Sequence, residues 1–211
     1  LKDDKIFRMY YRGLPAAGRD GTDLESTCYA ESADGLQWRK PDLGLFKVNG
    51  TTKNNVILKN QAPCSHNFSP FIDTNPETVA DERYKALGGT STSGLVAFSS
   101  GDGIRWKRLR PKAVISRGAF DSQNVSFWSE SEGCYVGYYR VWVGPDRQLT
   151  KSGGDSYRWI GRCTSPDFVN WTKVEPVDFG ELPLEHYYNQ RMQPYLRAPH
   201  IYVGLPARFM L

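Results

Sequence analysis

Short apolar and aromatic runs recur along the chain and are cut by clusters of Gly, Pro, Asp and Ser. Lys5–Arg12, Thr27–Glu31, Arg83–Leu87, Gly94–Phe98, Cys134–Trp142 and Arg158–Cys163 are rich in β-branched and aromatic residues, and each is bounded by turn-forming residues. Such runs read as strands joined by tight turns. No segment carries the 3.6-residue apolar period of an amphipathic helix. Residues 146–157, rich in Gly and Ser, read as a long hairpin loop. The fold class expected is all-β.

A turn repeats inside this pattern. Ser32-Ala-Asp34-Gly-Leu-Gln-Trp38, Ser100-Gly-Asp102-Gly-Ile-Arg-Trp106 and Ser165-Pro-Asp167-Phe-Val-Asn-Trp171 align without gaps as S-x-D-x-x-x-W, their tryptophans 68 and 65 residues apart. Ser and Asp side chains bond the amides of a tight turn, and Gly supplies dihedrals that other residues resist. The Trp then anchors the following strand. Two strand-like runs precede each turn, and a short polar strand follows it: Arg39-Lys40, Lys107–Arg110 and Thr172–Glu175. In the second and third units a further strand leads, Asn67–Asp73 and Asp121–Trp128.

Four strands in a unit of about 65 residues are the signature of a propeller blade. The chain is expected to form one partial β-propeller domain over residues 1–211, built of four-stranded antiparallel blades. Residues 1–45 form the rest of a blade without its leading strand, 66–112 a second blade, 119–178 a third, and 190–211 the start of a fourth. That is about three and a half blades. An open arc would expose strand edges, so the remainder of the propeller is expected as a partner, from the same or a longer chain.

Composition narrows the functional classes. The net charge is +4 with the charges scattered, which argues against a nucleic-acid-binding tail or a polybasic membrane patch. No apolar run approaches the roughly 20 residues of a membrane-spanning helix. The four cysteines, at 28, 64, 134 and 163, form no CxxC or Cys/His cluster, so they read as free thiols, and neither a metal nor a cofactor is expected.

The repeated turn, with Phe168-Val-Asn-Trp171 and Phe120-Asp-Ser-Gln-Asn-Val-Ser-Phe-Trp128, resembles the five-bladed β-propeller glycoside hydrolases, the group of invertases, levansucrases, arabinanases and xylosidases. Sialidases carry a related turn spaced S-x-D-x-G-x-x-W, one residue longer than all three copies here. The resemblance implies a central pocket holding three carboxylates: a nucleophile or base on the first inner strand, a stabilising Asp on a middle blade and a Glu acid on a later one. Two carboxylates flanking a glycosidic bond suffice for hydrolysis. A carbohydrate partner is implied, and a secreted or periplasmic location is expected, a cytoplasmic one staying open.

Asp121 opens the third inner strand and is the candidate base or stabiliser; on a strand, Asp121, Gln123 and Val125 would share one face. Glu185, in the segment after the third turn, is the candidate acid. The family motif of Glu, a small residue and Pro falls in register on Arg197-Ala-Pro199, so Arg stands where the acid is expected. His66, Asn67, Gln123, Asn124, His186 and Arg197 are candidates for binding sugar hydroxyls. Arg140 and Trp142 read as structural, and Asp73 as a turn residue. Three readings follow: a glycosidase, a carbohydrate-binding propeller without its acid, and a scaffold for protein partners. The polar inner segments speak against the last.

Overall fold

The computed structural model describes residues 1–15 and 18–210. These residues form sixteen strands and one short 3-10 turn. The first sheet is β1 (Lys2–Asp3), β2 (Ile6–Gly13), β3 (Ser26–Ser32) and β4 (Val56–Leu58), in that order. The second is β5 (Ser69–Ile72), β6 (Tyr84–Thr90), β7 (Gly94–Ser100) and β8 (Lys107–Arg108). The third is β9 (Val125–Ser129), β10 (Cys134–Val143), β11 (Tyr157–Ser165) and β12 (Glu175–Pro176). All pairings are antiparallel. Four short strands follow, β13 (Tyr187–Tyr188), β14 (Gln193–Tyr195), β15 (Ala198–Val203) and β16 (Ala207–Arg208). They make two ribbons, β14 with β15 and β13 with β16. The protein is an incomplete β-propeller of four-stranded blades.

Two expectations need correction. The leading position of the first blade is held by β1, which pairs with β2 as the ends of β5 and β9 pair with β6 and β10. The outer strand of that blade is also longer in sequence than the polar pair after Trp38. Arg39 makes a single bridge to Glu31, and the chain then loops out before β4 returns to pair with Thr27 and Cys28. Blade two does the same on a smaller scale, with β8 followed by a bridge from Ile115 to Leu95. The outer strand is thus split, because the hydrophobic half of β3 or β7 needs an apolar cover that the short polar segment cannot supply.

The three turns share one set of bonds around the Asp and the Trp. Ser32, Ser100 and Ser165 each donate to Oδ1 of the Asp two residues on, at 2.9, 3.0 and 3.1 Å. That oxygen accepts the two amides after the turn, and the Trp indole N–H closes the loop on a carbonyl at 3.1–3.2 Å. The residue after the Asp lies in the left-handed region: Gly35 at φ +77°, Gly103 at +72° and Phe168 at +66°. At Gly103 a side chain would also displace the Tyr10 hydroxyl, which lies 2.7 Å from where its Cβ would stand and donates to the Gly103 carbonyl. Phe168 costs about 1–2 kcal/mol in backbone strain. Its ring is fully buried against Phe71 and Tyr135, and burial contributes about 1.5–3 kcal/mol, which offsets the strain.

Neighbouring units are clamped by one recurring device. A carboxylate in the inner hairpin of each blade takes a basic residue and the phenol of a Tyr from the next unit. Asp3 accepts Tyr84 and pairs with Arg8 and Arg83. Asp73 accepts the Tyr135 hydroxyl at 2.7 Å and pairs with Lys85. Glu132 accepts the Tyr202 hydroxyl at 2.6 Å and pairs with Arg162 at 2.5 Å. Asp3, Asp73 and Lys85 are buried, so each needs an opposite charge to stay in the interior. The four cysteines are free, Cys28, Cys64 and Cys163 being buried.

Removing one partner of a buried pair is worse than removing a hydrogen bond. Asp73→Ala leaves Lys85 without its buried counter-charge, and a loss of about 3–5 kcal/mol of unfolding free energy is expected in urea denaturation. Tyr135→Phe should cost about 0.5–1.5 kcal/mol, because Lys85 and Thr78 still hold Asp73. Equal losses from the two would refute the clamp.

Candidate functional site

β5 and β9 run with their first residues toward one face of the propeller, and β2, antiparallel to the inner position, ends there too. The chain segments at that face enclose a cavity of about 500 Å³. Blade one contributes Tyr10, Tyr11, Arg12, Glu25 and Thr27; blade two contributes Ser65, Asn67, Phe68 and Ser69. Asp121, Ser122 and Gln123 come from blade three, and Tyr188, Asn189 and Arg191 from the segment after it.

Asn67, Asp121 and Gln123 therefore meet in one cavity, although they stand in the loops before β5 and β9 rather than on strands. Period-two alternation does not place them; turns do. Asn67 donates to the Phe120 carbonyl at 3.0 Å and accepts from Arg12 at 2.6 Å, so it ties all three blades together. Gln123 is held by its amide on Asn189 Oδ1 at 3.2 Å. Asp121 is ion-paired with Arg140. Arg140, expected to be structural, is buried between the rings of Trp142 and Tyr188 and positions Asp121.

The remaining candidates lie elsewhere. Asn124 is fully buried, and its amide donates to the Phe120 carbonyl at 3.1 Å, which closes the turn carrying Asp121. His66 backs the cavity from behind Glu25. His186 accepts the Arg158 amide at 3.0 Å through Nδ1 and packs beside Trp142 and Tyr157. Desolvation, and after it the charge of Arg158, holds the His186 pKa down. Glu185 does not line the cavity; it pairs with Arg208 at 2.5 Å, across the β13–β16 ribbon. Arg197 sits in the β14–β15 turn, whose neighbours Tyr195 and Leu196 lie by Ile72 and Trp128 at the far ends of the inner strands. That distance along the strands keeps it from the cavity.

Glu25 is a cavity carboxylate that motif reading misses. It is 2% exposed, lines the cavity, and accepts His66 Nδ1 at 2.9 Å and the Gly21 amide at 2.7 Å. Burial pushes its pKa up, but these hydrogen bonds and the charges of His66 and Arg12 outweigh burial and hold the carboxyl below its ordinary value. Asp20, Glu25 and His66 bring their ligating atoms within 4.8 Å of one another, a spacing suited to a metal ion. Arg12 already pairs with Asp20 and lies 3.9 Å from Glu25, so a guanidinium supplies the positive charge there. The only advance signal was an acid directly before a strand; its partner His66 lies 41 residues on.

No family model and no curated protein sequence matches the chain. Solved structures do. A glycoside hydrolase is 15% identical over 91% of this chain and 60% of its own, with a TM-score of 0.58. A glycosyl hydrolase from Bacteroides ovatus is 14% identical over 99% of this chain and 64% of its own, with a TM-score of 0.53. BT0996, solved as an RGII complex, is 14% identical over 91% of this chain and 60% of its own, with a TM-score of 0.54. The chain spans less than two thirds of each of these structures, with which it shares its fold.

The depressed pKa of Glu25 gives stability that is fully present above the unfolded carboxylate value of about 4.3 and is lost as pH falls through the lower folded value. Urea denaturation at stepped pH is expected to show wild type more stable than Glu25→Gln at pH 7, with the difference shrinking on acidification. A constant difference would contradict the depressed value.

Proposed function

We propose that the protein is a glycoside hydrolase that acts on an oligo- or polysaccharide in the cavity at the mouth of the propeller. One observation carries the reading: Glu25 and Asp121, carboxylates from two different blades, line a single polar cavity with aromatic walls. Tyr10, Tyr11, Phe68 and Tyr188 offer ring surfaces for sugar faces, while Asn67, Gln123 and Asn189 offer amides for hydroxyls. The fold shared with glycoside hydrolases supports the reading.

Glu25, held ionised, is the base or nucleophile of this proposal. Asp121, fixed by Arg140, stands in the stabilising role opposite the positive charge that develops on the sugar ring. Glu25 is held below its ordinary value and Asp121 is occupied by its ion pair with Arg140, so the acid for the leaving oxygen is a third group. A second reading, carbohydrate binding without hydrolysis, is favoured by Arg197 at the register of the family's acid and by Glu185 lying outside the cavity.

Sugar release from a panel of glycans, read beside binding, separates the two. Glu25→Gln and Asp121→Asn are expected to lower turnover by about 100- to 10,000-fold while glycan binding survives. Glu185→Gln should leave turnover within a few-fold of wild type. Binding without release by wild type would select the second reading, and absence of both would reject carbohydrate as the ligand.

A further inference from the structure

We infer that Arg191 makes the cavity selective for a glycan carrying an anionic substituent, with the carboxylate of a uronic acid as the chemistry it fits best. The inference rests on the carbohydrate reading above and names its substrate class.

Among the described residues three arginines surround the cavity, and two are already committed. Arg12 is paired with Asp20 and donates to Asn67, and Arg140 is paired with Asp121. Arg191 lines the cavity, is exposed, and its side chain makes no hydrogen bond or ion pair among the described residues. Of the three guanidiniums, its own is therefore the one left free for a ligand. A planar guanidinium offers paired N–H donors matched to a carboxylate.

The backbone presents this side chain in a fixed place. Gln190, 2% exposed, donates to the Tyr138 carbonyl at 3.0 Å and accepts the Met192 amide at 2.5 Å. The carbonyls of Asn189 and Gln190 accept the amides of Ala207 and Leu205 at 3.2 and 3.1 Å. Arg191 itself is left-handed at φ +45°, a conformation that a long side chain adopts only at a cost. Its cavity neighbours Asn67 and Asn189 are also left-handed, both at φ +51°. A long side chain held in the left-handed region by a buried brace is the pattern of a ligand clamp. Ser65, 2% exposed, adds a cavity-lining hydroxyl with no partner among the described residues.

The test compares three probes of equal length by calorimetric titration: an oligogalacturonide, a sulfated galacto-oligosaccharide and a neutral galacto-oligosaccharide. Wild type is expected to bind a charged probe about 10- to 100-fold more tightly than the neutral one, the uronide ahead of the sulfate. That preference should weaken with salt. Arg191→Gln should abolish it without changing neutral binding, and Arg191→Lys should restore part of it. Because Arg191 is exposed, a near-UV circular dichroism spectrum like that of wild type is expected for both variants. Neutral and charged probes bound equally by wild type, or a preference that survives Arg191→Gln, would overturn the inference while leaving the carbohydrate reading standing. A sulfate preferred over the uronide would overturn the assignment to carboxylate. Binding of none of the three would remove both.

Discussion

A buried carboxylate cannot stay charged alone, and this protein uses that constraint to set blade against blade. Asp3 and Asp73 sit at equivalent ends of their inner hairpins, each neutralised by a basic residue and by a tyrosine hydroxyl delivered from the following blade. A phenol reaches such a site only if the next blade is docked at one angle and height. Dispersion alone would tolerate sliding between sheet faces; a hydrogen bond to a buried charge does not. The third copy, Glu132 with Tyr202, is exposed and joins blade three to the ribbon that follows.

The cavity depends on this registration. It is walled by loops from three blades and a fourth segment, so a small rotation of any blade would separate Glu25 from Asp121. Cross-blade bonds from Asn67 secure the mouth as the carboxylate clamps secure the opposite end. Each cavity carboxylate has a cation near it, Arg12 shared between Asp20 and Glu25, and Arg140 behind Asp121. Both carboxylates are thereby held in place by neighbouring cations without a ligand.

Much of the architecture was legible in the chain because its causes are local. The S-x-D-x-x-x-W turn closes on itself through bonds between residues two or three apart, so its chemistry can be read from spacing. The strands flanking it follow from β-branched and aromatic runs. The third copy shows the limit of this reading: Phe168 occupies a left-handed position that elsewhere takes Gly, and only its packing against Phe71 and Tyr135 explains why. Likewise the split outer strand of the first blade arises from a return of Val56–Leu58 that no local pattern announces.

The site was legible only in part. Asn67, Asp121 and Gln123, placed near the axis by the expectation that residues before inner strands face it, line one cavity. Glu185 and Arg197 both depart from the motif, Glu185 standing before its register and Arg197 in place of its acid, and both lie outside the cavity, since a motif fixes order along the chain and not which end of a strand faces the cavity. Glu25 and Arg140 escaped it because their roles come from His66 and Asp121, partners distant in sequence. The sequence by itself determined the repeating turn, the all-β class and the four-stranded blade, all products of short-range hydrogen bonding and residue preference. The tertiary structure alone decided which carboxylates share a cavity, because burial and charge pairing belong to the packed arrangement and not to the order of residues.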